Sequence, residues 1–237
     1  KIIEVLLPLI TKGIVPVVTG FIGANQEGEI TILGRGGSDY TASIIGFCLN
    51  SKEIQIWTDV NGIYTTDPRL VKKAWCIPIM SYKEASEMAF FGAKILHPRT
   101  IRPAIKAKIP VRVLNTLNPE HPGTLIVEKS DKKNSIKAIS FKRNITLVNM
   151  YATEMLLSKG FLMRIFGIFS KNNISVDLVS VSEVSISVTL DNIENIDTAI
   201  KELETFTKVT LSKNNATISL IGEGIVNSSV TISNVFN

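Results

Sequence analysis

Glu29-Ile-Thr-Ile-Leu33 runs without a break into Gly34-Arg-Gly-Gly-Ser-Asp39, and from Asp39 to Leu49 the apolar residues recur at helical spacing. A strand pattern, a glycine turn and a helix in succession form the unit from which α/β sheets are built. Upstream, Asn25-Gln-Glu-Gly28 turns the chain, and Ile14-Val-Pro-Val-Val-Thr19 after Gly13 reads as a buried strand behind an apolar helix with Ile2, Ile3, Leu6, Leu7 and Ile10. Downstream, Glu53-Ile-Gln-Ile-Trp57, Pro110-Val-Arg-Val-Leu114 and Thr124-Leu-Ile-Val127 read as strands, and Thr100 to Lys106 as a short helix. Ser81-Tyr-Lys-Glu84 is a capping box that opens a helix to Phe91, with Gly92 at its end. Strands rich in apolar residues alternating with helices predict an α/β sandwich with a mostly parallel sheet.

The pattern changes at Glu128-Lys-Ser-Asp-Lys-Lys-Asn-Ser135, a stretch without an apolar residue that reads as a linker. Beyond it, Ile145–Met150 is a strand, Phe161–Phe169 an amphipathic helix, and Ile174–Val181 and Val184–Leu190 are strands joined at Ser182-Glu183. Ile193–Phe206 is a helix and Lys208–Leu211 a strand, which completes the β-α-β-β-α-β order of a ferredoxin-like unit. Asn215-Ala-Thr-Ile-Ser-Leu-Ile-Gly222 then echoes Asn144-Ile-Thr-Leu-Val-Asn-Met150, a weak internal repeat. The expected domains are residues 1–127, a linker at 128–135, a unit at 136–212 and the start of a second such unit at 213–237. With Lys1 first and the second unit incomplete at Asn237, the reading expects a fragment of something longer.

Among 237 residues, 45% are hydrophobic and 20% charged, the balance of a chain that buries a core and neither stays disordered nor builds a membrane bundle. Of the net charge of +5, the surplus lies upstream, since residues 136–237 hold nine basic and nine acidic residues. Without a basic run, that surplus suits small anions better than a nucleic-acid groove. Cys48 and Cys76 lack a second Cys or a His at ligand spacing, which fits structural thiols in a reducing, cytoplasmic setting.

Three stretches have residue types suited to chemistry. In Gly34-Arg-Gly-Gly-Ser-Asp39, glycines admit a close backbone approach, Ser38 and Asp39 can cap the helix, and Arg35 can grip a carboxylate or phosphate; a plain capped turn fits the same residues. Trp57-Thr-Asp-Val-Asn-Gly-Ile-Tyr-Thr-Thr-Asp-Pro-Arg69 leaves the C-terminal end of a strand, where α/β sheets bind ligands, although Asn-Gly and Asp-Pro are also ordinary turn residues. In Ala89-Phe-Phe-Gly-Ala-Lys-Ile-Leu-His-Pro98, Lys94 stands at a helix entrance and can hold a phosphate or be a solvated surface charge. His97 and His121 each precede a proline and read as structural or surface residues.

Together Gly20-Phe-Ile-Gly23, Gly34-Arg-Gly-Gly-Ser-Asp39, Trp57-Thr-Asp59, Thr66-Asp-Pro-Arg69, Phe91-Gly-Ala-Lys-Ile-Leu-His-Pro98 and Ile109-Pro-Val-Arg112 resemble the aspartokinases of the amino-acid kinase superfamily. The resemblance implies the C-terminal part of a carbamate-kinase-like α/β/α sandwich followed by ferredoxin-like ACT domains. It implies transfer of the γ-phosphoryl group of ATP to the side-chain carboxylate of aspartate, the first step toward lysine, threonine and methionine. A carboxylate is already ionised at neutral pH, so such chemistry needs alignment and charge neutralisation rather than a general base. The resemblance assigns Arg35, Gly36, Ser38, Asp39 and Phe21 to aspartate, and Thr58, Asp59, Tyr64, Arg69 and Lys94 to ATP, with Mg²⁺ on the phosphates and no protein side chain as metal ligand. The family's N-terminal Lys-Phe-Gly-Gly-Thr segment has no counterpart in residues 1–237, so the fragment alone is expected to have negligible kinase activity.

Met155, Ser158, Phe161, Leu162, Asp177, Ser182 and Glu183 match the family's effector site, with lysine favoured over threonine and Asp177 facing the ligand's ammonium group. The same residues also suit capping, or packing of an ACT–ACT dimer in a homo-oligomer. Two further readings stay open: a non-catalytic regulatory subunit, and the kinase half of a bifunctional aspartokinase–homoserine dehydrogenase. Nucleic-acid and membrane partners are not expected.

Overall fold

The structure, a computed structural model, describes residues 1–92, 96, 99–130, 136–153, 155 and 158–225. They form two compact units, Lys1–Ser140 together with the described residues from Ile218 onward, and Phe141–Thr217.

In the first unit, helix α1 (Ile2–Thr11) precedes the hairpin β1 (Ile22–Ala24) and β2 (Ile30–Ile32), which Asn25 closes by accepting from and donating to Glu29. Helix α2 (Gly37–Leu49) leads to β3 (Ile54–Thr58), followed by β4 (Ile79–Ser81), α3 (Tyr82–Phe90), α4 (Arg102–Ala107), β5 (Val111–Asn115) and β6 (Thr124–Val127). The strands form one sheet in the order β3-β5-β6-β4, with β3 and β5 parallel, β4 and β6 parallel, and β5 and β6 antiparallel. Ile54, Ile56, Val111, Val113 and Ile126 face a core closed by Met88 of α3 and Ala104 of α4.

The buried strand expected at Ile14–Thr19 does not form, and Val15 and Val17 are 85% and 97% exposed. An apolar β pattern sets a backbone preference, but a strand exists only where a neighbour satisfies its N–H and C=O groups. No described strand is hydrogen-bonded to this segment. Val5 of α1 and Ile30 and Ile32 of β2 are exposed too, so this whole stretch presents apolar side chains without cover among the described residues.

The second unit takes most of β7 (Ala138–Tyr151), then α5 (Phe161–Lys171), β8 (Val179–Val181), β9 (Ser185–Leu190), α6 (Ile196–Leu203) and most of β10 (Lys208–Ile221). The sheet order is β10-β7-β9-β8, with β9 antiparallel to both β7 and β8. Val148, Ile186, Val188 and Leu190 pack against Ile165 and Phe169 of α5 and Ala199 and Leu203 of α6, giving the ferredoxin-like layering. Where two strands were expected, ending at Leu211 and restarting at Asn215, one 14-residue strand runs through. Asn214 within β10 and Asn144 within β7 both have positive φ, 61° and 59°. A short polar side chain such as asparagine tolerates this left-handed conformation, so the strand continues through it. No helix among the described residues is long and apolar enough to cross a membrane.

The capping box at Ser81 is present, with Glu84 N donating to Ser81 Oγ and Ser81 N to Glu84 Oε2. Glu84, 1% exposed, also accepts from Ser130 Oγ at 2.9 Å and Glu223 N at 3.2 Å, and lies 3.5 Å from Lys137 Nζ. Burial pushes its carboxyl up, but the donors at Ser81, Ser130 and Glu223 and the Lys137 ammonium outweigh this and hold it below the ordinary range. Glu84→Ala leaves these donors unpaired and a buried ammonium without its counter-ion, and is expected to lower unfolding free energy in urea by about 3–5 kcal/mol. Because the native carboxyl is depressed, its stabilisation is complete above the unfolded-state value and is lost as pH falls through the native one. The acid limb of the wild-type stability curve should therefore flatten in Glu84→Gln.

Candidate functional site

The turn between β2 and α2 brings together the residues assigned to aspartate. Gly34 and Gly36 have positive φ, and Gly36 serves as the N-cap of α2. The helix therefore starts at Gly37, so Ser38 and Asp39 lie inside its first turn and neither provides the expected side-chain cap. Phe21 also has positive φ, 73°, with its amide donating to Thr41 Oγ1 and its carbonyl accepting from Leu33 N. A Cβ on Gly37 would lie 2.7 Å from the Phe21 ring, so only glycine lets this loop close on the helix start. Arg35 is exposed and no described residue pairs with its guanidinium. Asp39 is half-buried, and burial pushes its carboxyl up; no described residue pairs with it either. A cation and a partly desolvated carboxylate, neither paired among the described residues, thus sit on one turn, beside helix-start amides that lack intrahelical partners.

A second group gathers beyond the end of β3. Thr58 Oγ1 donates to Asp59, while its carbonyl accepts from Thr116 N. Tyr64 pairs with Cys76 in an isolated bridge, flanked by Thr65 N to Trp75 O and Ile77 N to Ile63 O. Arg69 does not point away free, because its Nε and Nη2 donate to both carboxylate oxygens of Asp67. That bidentate contact holds the Asp67 carboxyl below its ordinary range. Lys94 and His97 lie outside the described residues. His121 Nδ1 accepts from Gly123 N, closing a turn. Arg112 is held by both oxygens of Glu53 and by Pro122 O.

Beneath this loop sit residues that sequence reasoning missed. Thr124 Oγ1, fully buried, accepts from Ile63 N at 2.8 Å and donates to Ile77 O at 2.6 Å. Gly62, at φ 142°, presses against it, and a Cβ there would lie 2.5 Å from Thr124 Oγ1. Asn61 Oδ1 accepts from the amide groups of Asn115 and Asn118. A threonine in a β pattern reads only as a strand former, and nothing in the spacing marks its hydroxyl as a joint.

In the second unit, Gly160 (φ 82°) caps α5, so Phe161 and Leu162 open the helix as read. Met155 and Phe161 pack against the core, whereas Ser158, Ser182 and Glu183 are exposed. Ser182 N donates to Ser185 O, and Ser185 N donates to Ser182 Oγ, closing the turn before β9. Asp177 is already engaged, accepting from Lys142 Nζ at 2.9 Å. No cluster of three or more His, Cys, Asp or Glu able to hold a metal exists among the described residues.

Residues 2–115 match the amino acid kinase family. The chain is 47% identical over 208 residues to the chloroplastic aspartokinase 1 of Arabidopsis thaliana, covering 83% of this chain and 37% of that protein. It superposes on the crystal structure of Escherichia coli aspartokinase III with aspartate and ADP at a TM-score of 0.82, 41% identical over 98% of this chain and 54% of that one. The lysine and aspartate complex of the same enzyme gives 0.79 and 43%, covering 92% and 50%. The chain therefore spans between about a third and half of the length of these relatives.

Thr124→Val removes the buried hydroxyl and orphans the Ile63 amide and the Ile77 carbonyl, a loss of roughly 1–3 kcal/mol in unfolding free energy. Faster hydrogen exchange at the Ile63 amide, restored in Thr124→Ser, is the expected signature.

Proposed function

We propose that the chain is part of an aspartokinase of the amino acid kinase family, supplying the carboxylate- and nucleotide-binding residues of an aspartate kinase, joined to an amino-acid-sensing ACT unit. The match of residues 2–115 to that family and the 47% identity to an aspartokinase over 208 residues support the reading. The fold supports this, an amino acid kinase sheet followed by a ferredoxin-like unit. The observation that carries the reading is the turn from Gly34 to Asp39, where Arg35 and Asp39 stand without partners among the described residues. A zwitterionic amino acid needs that pair: a guanidinium for its α-carboxylate and a carboxylate for its ammonium group. Burial of Asp39 sharpens the match, since a partly desolvated carboxylate gains most from a cation.

In the proposed reaction an oxygen of the aspartate side-chain carboxylate bonds to the γ-phosphorus of ATP as the bond to the bridging oxygen of ADP breaks, giving an acyl phosphate. No proton moves, so Arg35, Phe21, Gly36, Ser38 and Asp39 position the nucleophile. Thr58, Asp59, Tyr64, Arg69 and Lys94 bind the nucleotide, with Arg69 exchanging Asp67 for phosphate. Magnesium fits here as an ion carried by phosphates and water, coordination that needs no protein cage. Lysine is the effector we favour, supported by the lysine complex of the Escherichia coli enzyme and by the match at Met155, Ser158, Phe161, Leu162, Asp177, Ser182 and Glu183. The exposed apolar edge of β8, with Val179 and Val181, supports pairing of two copies. Unpaired Cys48 and Cys76 support a cytoplasmic setting.

Calorimetric titration of L-aspartate and of ADP with magnesium tests the assignment. Arg35→Ala is expected to weaken aspartate binding by roughly ten- to a hundredfold, the loss of a charged hydrogen-bonded contact, and to leave ADP binding within about twofold. Equal aspartate affinity in the two proteins would overturn the reading.

A further inference from the structure

Lys142, near the start of β7, lies 35 residues in sequence from Asp177 and 49 from Asp191, yet its ammonium joins both. Lys142 Nζ donates to Asp177 Oδ2 at 2.9 Å and to Asp191 Oδ2 at 2.7 Å. The two carboxylates differ in setting, because the Asp177 side chain is 14% exposed and that of Asp191 44%. Asp177 is also anchored by its backbone, with its amide donating to Thr189 O and the Leu178 amide to Thr189 Oγ1. The fixed partner is thus the carboxylate, and the movable one is an ammonium on a flexible four-carbon stem.

We propose that Lys142 is a built-in competitor for the ammonium group of the amino-acid effector, with Asp191 as the place to which it withdraws. The proposal rests on the reading of Asp177 as an effector ligand. Two carboxylates sharing one ammonium leave the cluster with a net negative charge, so a second ammonium is electrostatically welcome once Lys142 gives up Asp177 and stays on Asp191. The apparent effector affinity is then the intrinsic affinity reduced by the fraction of molecules in which Asp177 is held. This arrangement makes a prediction of opposite signs that a purely structural ion cluster does not make. Removing Lys142 frees Asp177, and removing the charge of Asp191 leaves Lys142 nowhere to withdraw.

The test is calorimetric titration of L-lysine, and separately L-threonine, into the 237-residue chain and its Lys142→Met, Lys142→Gln, Asp191→Asn and Asp177→Asn variants, each checked for folding by circular dichroism. For the amino acid that binds, both Lys142 variants should bind roughly three- to tenfold tighter and Asp191→Asn roughly three- to tenfold weaker, with binding lost in Asp177→Asn. Binding by a folded Lys142 variant but not by wild type also supports the proposal. If Asp177→Asn abolishes binding while the folded Lys142 variants match wild type or bind more weakly, the competitor role is overturned and the effector reading stands. Binding unaffected by Asp177→Asn, or absent from every protein, overturns the effector reading and the competitor role with it.

Discussion

One buried carboxylate organises the first unit. Glu84 completes the capping box of α3, and it also collects donors from Ser130, beyond the end of β6, from Glu223, beyond the end of β10, and from Lys137, just before β7. Each donor would cost free energy if left unpaired in the interior, and a bare carboxylate there would cost more. Gathering them on one group satisfies all of them only if α3, the stretch after β6 and the two chain passages near Lys137 and Glu223 keep their places. Lys137 Nζ adds a bond to Ile79 O, which ties the same cluster to β4. Specificity of geometry, rather than net stabilisation by the ion pair, is the firmer consequence of such a network.

The half of this network that is local was legible. A Ser and a Glu three residues apart before a helical pattern announce a capping box, because both partners lie on one turn of chain. The other half was not, since nothing in the spacing tells Glu84 from an ordinary cap residue that faces water. The same divide runs through the rest of the molecule. Helices α2 and α5 and strands β3, β5 and β6 stand close to where periodicity put them, for their signals are local. Ile14–Thr19 has as strong a strand pattern and forms no strand, because pairing is a property of neighbours. In β10, Lys213-Asn-Asn215 reads as a break, and Asn214 absorbs it as a left-handed residue inside a continuing strand.

The candidate site divides in the same way. The glycine turn before α2 was readable because glycines at fixed offsets dictate backbone shape, and the structure adds the reason for Gly37, the Phe21 ring against its Cα. The start of the helix shifted toward the N-terminus, since Gly36 in the left-handed region opens it before Ser38 can cap. That shift matters chemically. A Ser38 or Asp39 engaged in capping would have its acceptor oxygen on backbone amides, whereas inside the first turn Asp39 keeps its carboxylate available. Thr124, Asn61, Asn115 and Lys142 escaped the sequence because their meaning lies in partners dozens of residues away.

Charge availability then separates the sites by what a ligand must displace. Arg35 and Asp39 have no described partner, so at the proposed aspartate site a zwitterion would displace only water from them, and the cost is the desolvation of both sides. Arg69 is committed to Asp67, but its guanidinium side is exposed to water, and an ion pair in high dielectric is a weak competitor for a polyanion such as a nucleotide phosphate. Asp177 is committed in a setting partly withdrawn from water, but to an ammonium that it shares with a second carboxylate, so that ammonium can be given up without being left alone. In the proposed effector site, a ligand's ammonium group would displace Lys142 from Asp177 before gaining that contact. Binding that requires such an exchange couples occupancy to a change of internal contacts, and that coupling is the physical requirement for a site that reports its ligand rather than merely holding it.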